Sequence, residues 1–168
     1  MYESDEDLTR LQDLLDRSID RASEHLTSIV TAERRLTAEQ LVAVVPGMST
    51  LALATVTADG EPRVSGVDGH FLRGRWLFTT SGSAVKLRHL RTRSACSAAH
   101  LRGDELGVFT HGRAVLMQPD EVPDWVEEHL VEHYGSSPTT WGPDIVYAWI
   151  RPTWMVAYAF DPDALLSE

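Results

Sequence analysis

The spacing of apolar residues along the chain changes from a helical period to a strand period. In the first 30 residues, leucine, isoleucine and alanine side chains recur every three or four positions, which predicts an amphipathic helix over residues 4–30. At about 27 residues this helix would run about 40 Å, longer than a small domain's core requires. We expect it to pack either across a partner subunit or along its own domain.

From residue 49 onward, short apolar and β-branched runs alternate with turn residues. The predicted strands cover residues 49–57, 61–67, 70–72, 76–80, 96–101, 106–117, 145–151 and 154–160. Helices are predicted after Thr37, which has a capping-box partner in Gln40, after Ser83, and over residues 122–134, where Gly135 ends the pattern. The pattern predicts a mainly β, α+β fold: an antiparallel barrel with peripheral helices over residues 37–168, preceded by the amphipathic helix within residues 1–36.

Composition narrows the setting of this domain. The single cysteine, Cys96, allows no internal disulfide, which favours a reducing compartment, and its apolar neighbours are typical of a buried side chain. The N-terminal residues MYESDEDL are acidic where a signal peptide is basic. No apolar stretch approaches the roughly 18 residues of a membrane span. We therefore expect a cytoplasmic protein without membrane contact.

The charge is distributed unevenly along the chain. With 15 basic and 25 acidic side chains the net charge is -10, which argues against nucleic acid as a partner because phosphate neutralisation needs a basic surface. Residues 69–103 nevertheless contain no carboxylate. Their basic residues are Arg73, Arg75, Lys86, Arg88, Arg91, Arg93 and Arg102. Because ordinary surfaces mix both signs, this basic tract predicts one pocket for a bound anion.

Within the basic tract, a predicted strand brings hydroxyl groups to the start of a helix. Thr79, Thr80 and Ser81 precede that helix, whose free N–H groups and positive dipole end attract anions. Lys86, the only lysine of the chain, and Arg88 lie in its first turns, where a cation is unfavourable unless an anion offsets it. The pattern predicts a phosphate-type ligand. The alternative is that the hydroxyls only cap the helix and the cations face solvent.

Four segments together resemble a known family. They are TVTADGEPRVSGV (55–67), RWLFTTS (75–81), KLRHLR (86–91) and HGRAVLM (111–117). In this order they resemble the pyridoxamine 5'-phosphate oxidase-like split β-barrels over about residues 37–160. The resemblance implies a homodimer with FMN or the deazaflavin coenzyme F420, or in some branches haem, at the subunit interface. It further implies an oxidoreductase that reduces a small conjugated organic substrate by hydride transfer.

The same resemblance assigns three groups of residues to the cofactor site. The group that would line the ribityl chain and the ring comprises Arg63, Val64 and Ser65. The group that would meet the ring edge and the phosphate comprises Thr79, Thr80 and Ser81. The phosphate clamp would be Lys86 and Arg88.

The resemblance leaves the cofactor open between FMN and F420. F420 is favoured because Arg91 and Arg93, beyond the phosphate clamp, suit its chain of glutamates. Family members often carry a further basic residue where this sequence has Ala84 and Val85. Two alternatives follow: a non-catalytic protein that binds haem, another tetrapyrrole or FMN on the same barrel, and a cofactor-free protein that only dimerises.

The histidines supply further candidates. Those in the barrel region, each a possible ligand of haem iron, are His70, His89, His100 and His111. A hydrogen-bonded or exposed histidine is the more common case for each. His129 and His133 match an inverted zinc-protease pattern, but their acidic helix predicts a solvated face and no metal site.

Two residues are candidates for a substrate pocket. His70 is a candidate for the cavity, and Trp154 is placed to stack on a planar ring because it follows Arg151, the only base of an acidic segment. Core packing is the competing interpretation for Trp154. No general acid or base is assigned, since in such enzymes the cofactor ring carries the chemistry.

Overall fold

The computed structural model describes residues 2–167. In this part of the chain the helices are α1 (Asp5–Asp20), α2 (Glu24–Ile29), α3 (Ala38–Val44), α4 (Val85–Thr92), α5 (Asp124–Tyr134) and α6 (Pro162–Leu166). The strands are β1 (Met48–Val56), β2 (Pro62–Leu72), β3 (Arg75–Ser81), β4 (Ala95–Arg102), β5 (Leu106–Met117) and β6 (Ile145–Ala159). Short 3₁₀ turns at Pro119–Glu121 and Pro138–Thr140 flank α5.

The strands form a closed antiparallel barrel in the order β1-β2-β3-β6-β5-β4. Successive side chains of a strand point to opposite faces. In β1, Leu51 and Leu53 are buried in the barrel interior, whereas the alternate residues Thr50 and Ala52 are exposed. All these strands contribute apolar side chains to the interior. The predicted α+β barrel with peripheral helices is therefore confirmed.

Two of the predicted strand breaks are wrong, because β2 and β6 are each continuous. β2 runs through Asp68 and Gly69, since its pairing with β1 is unbroken from Met48 to Val56. β6 runs through Pro152 and Thr153, where its register with β5 shifts. Thr153 is the extra residue of a β-bulge, which tolerates a proline that has no N–H to donate.

The predicted N-terminal helix over residues 4–30 is too long. α1 ends at Asp20, and Ser23 starts α2 with an extended backbone and a hydroxyl that accepts the Leu26 N–H. A serine that caps a new helix in this way interrupts the preceding one. α1 lies along its own domain, because Leu11 and Leu15 join the barrel core and the Met155 N–H donates to Ser18 Oγ at 2.9 Å.

A second apolar cluster lies on the outside of the barrel, beneath α5. Val126 and Leu130 of α5 pack there with Leu77 and Trp149 from β3 and β6. Gly135 ends α5 with a left-handed backbone (φ 75°), as predicted from its lack of a Cβ. α5 therefore covers the outer face of β3 and β6, beside the place where β2 and β3 separate.

Candidate functional site

The barrel sheet opens between β2 and β3. These strands pair only from Gly69 with Phe78 to Leu72 with Arg75. β2 nevertheless continues along β1 to Pro62, and β3 continues along β6 as far as its last residue. Residues 62–68 of β2 and 79–81 of β3 therefore each have an unpaired edge. We call the opening between these edges and the start of α4 the β2–β3 cleft.

The β2 side of the cleft carries Arg63, Val64 and Ser65. Arg63 is exposed and forms an ion pair with the Glu61 carboxylate. Ser65 is half-buried, and Val64, on the opposite face of the strand, is 70% exposed. The structure thus places all three predicted residues at the opening, on two faces of one strand.

The β3 side carries Thr79, Thr80 and Ser81, all half-buried. Thr79 lies opposite Tyr147 of β6 and shares its outer face. Because side chains alternate, Ser81 lies on that face as well, whereas Thr80 points to the other. The three hydroxyls are close in the chain but do not converge on one point.

The turn between β3 and α4 is held by Asp144, in the loop before β6. The Gly82 N–H donates to the Asp144 carbonyl oxygen at 2.6 Å, and Ser81 Oγ donates to Asp144 Oδ1 at 2.9 Å. Arg91 Nη1 donates to the Gly82 carbonyl oxygen at 3.0 Å, which ties α4 back to the turn. Sequence reasoning missed Asp144, because it lies 63 residues from Ser81 with no local signal between them.

α4 begins without a capping side chain. Its N-cap residue, Ala84, makes no side-chain hydrogen bond, and its first turn has no acidic residue. The first N–H groups of a helix have no intrahelical acceptor, so here they are available to a ligand. Together with the positive end of the helix dipole they favour an anion.

Two cations flank this helix start. Lys86 is half-buried and Arg88 is exposed, and within residues 2–167 neither forms an ion pair with a carboxylate. Free N–H donors, an ammonium and a guanidinium are the groups from which a phosphate accepts hydrogen bonds. The residues at this turn therefore fit the phosphate of FMN or F420, with the Asp144 carboxylate as one opposing charge.

The outer face of the sheet next to the cleft is open and largely apolar. A row of residues in register runs across it, from β2 through β1, β4 and β5 to β6: Val64, Ala54, Ser97, His111 and Trp154. His111 stacks on Trp154 with ring centroids 4.6 Å apart, and its Nδ1 lies 2.8 Å from Ser97 Oγ. The predicted pocket residue Trp154 is therefore four strands away from Val64 along this face.

His70 is buried beneath α5. Its Nδ1 lies 2.9 Å from His129 Nε2, and its Nε2 lies 2.9 Å from the Tyr134 hydroxyl. Burial, followed by the neighbouring His129 and His133, lowers the pKa of His70 to about 3, so its ring is neutral at neutral pH. The predicted solvated face is wrong for His129, which packs on His70. A role for His70 in a substrate cavity stays a prediction.

The other histidines of the barrel region are also hydrogen-bonded. His89 Nδ1 lies 3.0 Å from Thr55 Oγ1, and His100 Nδ1 lies 3.1 Å from the Thr50 carbonyl oxygen.

In residues 2–167, no group of three or more His, Cys, Asp or Glu side chains is placed to hold a metal ion. Burial raises the pKa of the Cys96 thiol to about 11. None of the helices described is long and apolar enough to cross a membrane.

The prediction of a single basic pocket is wrong, because the basic tract divides. Lys86, Arg88 and Arg91 belong to α4. Arg75 begins β3 and Ser81 ends it, so the two lie about 20 Å apart along the strand. The arginines of the β2–β3 turn are therefore at the far end of the barrel from the cleft.

An antiparallel barrel whose sheet parts between two neighbouring strands, with a helix starting at the opening, is a split β-barrel. Residues 37–159 match the sequence profile of pyridoxamine 5'-phosphate oxidase. The chain belongs to this family, as its resemblance predicted. No curated protein matches the sequence.

Solved structures share the fold at low sequence identity. The conserved hypothetical protein Rv2991 from Mycobacterium tuberculosis has a TM-score of 0.66 and 18% identity, covering 80% of this chain and 91% of its own. An F420 reductase has a TM-score of 0.55 and 20% identity, covering 67% and 93%. PhzG from Burkholderia lata 383, in complex with tetrahydrophenazine-1-carboxylic acid, has a TM-score of 0.53 and 20% identity, covering 88% and 85%. The fold is that of the pyridoxamine 5'-phosphate oxidase family, and the F420 reductase shares it.

Proposed function

We propose that this protein is an oxidoreductase that binds FMN or F420 in the β2–β3 cleft, with the cofactor phosphate at the start of α4. The observation that carries this proposal is the uncapped start of α4 at the point where β2 and β3 part, with Lys86 and Arg88 in no ion pair with a carboxylate of the described residues 2–167. Hydrogen bonds from these two cations to a phosphate would be charge-assisted, and charge-assisted hydrogen bonds are roughly twice as strong as neutral ones.

The cofactor ring would lie along the opening, where it supplies the hydride chemistry when bound. The unpaired edge of β2 presents backbone N–H and C=O groups there, and Val64 and Ser65 provide apolar and hydroxyl contacts. The chain's part is to hold and orient the ring beside a small, planar, conjugated substrate. F420 is favoured over FMN because Arg91 is exposed and reaches the Gly82 carbonyl oxygen beside the phosphate position, where it suits a chain of carboxylates. Arg93 lies at the other end of α4, where it donates to the Ala58 carbonyl oxygen, so it does not support this preference.

We further propose a homodimer with the cofactor at its interface. Val64 is 70% exposed and Leu101 58% exposed, and both belong to the open sheet face that borders the cleft. A second copy of the chain on this face would bury these side chains and cover the opening of the cleft. The proposed setting is the cytoplasm, which suits the single unpaired cysteine.

Spectroscopic titration tests the cofactor proposal. Purified protein is titrated with FMN, oxidised F420, reduced F420 and haem, and absorbance and fluorescence are followed. Lys86→Ala is expected to weaken FMN or F420 binding at least about tenfold at moderate salt, equivalent to about 1.4 kcal/mol. Arg102→Ala, which removes an exposed charge at the last residue of β4, is the matched control and should bind as wild type.

The outcomes separate the proposal from its alternatives. A Soret band without flavin or F420 binding would overturn the oxidoreductase and indicate a haem protein. No spectral change with any ligand would favour a cofactor-free dimer. Unchanged affinity in Lys86→Ala would show that the start of α4 is not the phosphate site.

A further inference from the structure

A groove between α1 and the barrel is lined by arginine side chains from separate elements. They are Arg10 and Arg17 of α1, Arg73 and Arg75 at the β2–β3 turn, and Arg151 of β6. Asp7 is the acidic residue of the lining, so the groove carries a formal charge of +4. Its volume is about 340 Å³. We call it the arginine groove.

Little of this positive charge is balanced within the described part of the chain. Arg10 is the balanced one: its Nη2 donates to Asp7 at 2.6 Å and its Nη1 donates to Glu6 at 2.8 Å. Asp7 also closes the capping box of α1 with Ser4. The guanidinium groups of the other four arginines have no carboxylate partner in residues 2–167. Glu3 accepts a hydrogen bond nearby, but from the backbone N–H of Arg73. The chain has 25 acidic residues, so a shortage of carboxylates does not explain why these arginines lack partners among the described residues.

The strands place like charges side by side. Arg151 of β6 lies directly opposite Arg113 of β5. On the other side of β6, Trp76 of β3 lies opposite Ile150, so in the antiparallel register the preceding residue, Arg75, lies beside Arg151. Three arginines thus lie in a row across neighbouring strands, an arrangement that is destabilising without a counterion. Burial lowers the pKa of Arg75, and the surrounding arginines lower it further against the opposing effect of Asp7.

Aromatic rings hold two of these guanidinium groups in place. Arg73 Cζ lies 4.1 Å from the Trp125 ring centroid, and Arg75 Cζ lies 4.8 Å from that of Trp149. A guanidinium stacked on a ring keeps its in-plane N–H groups free for a ligand. Arg73 also has a left-handed backbone (φ 50°) beside Gly74, in a turn position where asparagine or glycine is usual.

We propose that the arginine groove binds a compact phosphate-type oxyanion carrying two or more negative charges. Forked guanidinium groups recognise tetrahedral and planar oxyanions by paired hydrogen bonds, and several at once select for multiple charge. The volume is at the lower end of that of small-molecule sites, which suits a compact ligand. The site is separate from the β2–β3 cleft, because the length of β3 lies between them. It stands independently of the proposed cofactor.

Calorimetric titration with inorganic pyrophosphate at low salt tests this proposal. The wild type should bind pyrophosphate, and the double variant R17Q/R151Q, at two exposed positions, should bind it at least about tenfold more weakly. R21Q/R102Q removes the same charge elsewhere on the surface and should bind as wild type. Weaker pyrophosphate binding in K86A together with wild-type affinity in R17Q/R151Q would place the anion at the start of α4 and overturn the proposal, which keeps this test distinct from that of the cofactor site. Citrate is a second arm, and tighter binding of citrate than of pyrophosphate would overturn the assignment of a phosphate-type ligand.

Thermal unfolding adds a readout that a merely structural role would not give. Without a multivalent anion at low salt, R151Q should unfold at a higher temperature than wild type, because it relieves repulsion between arginines. Pyrophosphate should stabilise the wild type more than R151Q. Equal stabilisation by sodium chloride of the same ionic strength, or wild-type pyrophosphate affinity in R17Q/R151Q, would overturn the proposal. A lower unfolding temperature of R151Q without anion would contradict the repulsion on which it rests.

Discussion

His70 Nδ1 and His129 Nε2 lie 2.9 Å apart and join β2 to α5. A neutral imidazole has one donor and one acceptor nitrogen, so the Tyr134 hydroxyl, His70 and His129 can form a continuous chain of hydrogen bonds. Protonation of both rings would set an N–H group against an N–H group in a buried site. The contact therefore requires at least one of the two rings to stay neutral.

This dependence predicts acid destabilisation. The pKa of His70 is about 3 in the folded protein and ordinarily about 6.5, so between these values the unfolded chain binds more protons than the folded one. The free energy of unfolding should fall as the pH falls from about 6.5 toward about 3, by at most about 1.4 kcal/mol per pH unit from this group. Urea unfolding of the wild type and His70→Gln at a series of pH values measures the difference.

His25→Gln is the matched control, because His25 is an exposed histidine on α2. It should keep the pH dependence of the wild type, whereas His70→Gln should lose most of the slope between about pH 6.5 and about pH 4. Parallel curves for His70→Gln and the wild type would show that His70 is not the group responsible.

The sequence predicted those features whose determinants lie within a few residues. The capping box of Thr37 and Gln40, the left-handed end of α5 at Gly135 and the cationic first turns of α4 are of this kind. The break between α1 and α2 is also local, but a single serine cap at Ser23 is weaker than the apolar periodicity that spans it.

Features that depend on strand register could not be predicted in this way. Asp144 reaches Ser81 only because β3 ends opposite Ile145, the first residue of β6. Arg75 and Lys86 are 11 positions apart in the sequence, yet an extended strand carries them to opposite ends of the barrel. The charge pattern therefore located basic residues correctly but joined two separate groups into one pocket.

Asp144→Asn is expected to strengthen binding of a phosphate-bearing cofactor at the start of α4. The Asp144 carboxylate accepts from Ser81 Oγ and adds a negative charge beside the proposed phosphate, while the bond from Gly82 N–H uses its backbone oxygen and survives the substitution. Loss of one charge near the surface should tighten FMN or F420 binding about two- to tenfold at low salt. Fluorescence titration gives the dissociation constants.

Asp104→Asn, in the exposed turn between β4 and β5, removes the same charge far from α4 and is the control for this effect. Weaker binding in Asp144→Asn would instead mean that the carboxylate serves the site by positioning the Ser81 hydroxyl.

Val64→Glu is expected to dissociate the proposed homodimer. Val64 is 70% exposed in the single chain and lies at the edge of the open sheet face, so a carboxylate there would be buried against the partner without a counterion. The dimer dissociation constant should rise at least about tenfold. Analytical ultracentrifugation measures it, with Val131→Glu, at an exposed valine of α5, as the matched control. Equal dissociation constants for the two variants would place the dimer contact elsewhere.

Gly112→Ala should destabilise the fold at the β5–β6 bulge. A Cβ at Gly112 would lie 2.2 Å from the Arg151 carbonyl oxygen and 3.0 Å from its carbonyl carbon, which are backbone atoms of the paired strand. Relief of this overlap requires the bulge to shift, at a cost of about 2 kcal/mol or more. Urea unfolding should show a lower midpoint with an unchanged slope. At Gly142 an added Cβ meets only Ile145 Cδ1 at 3.8 Å, an ordinary contact, so Gly142→Ala should stay close to wild type. A wild-type midpoint for Gly112→Ala would mean that the strands at Arg151 can separate without loss of stability. The row of Arg75, Arg151 and Arg113 would then be a flexible element of the barrel.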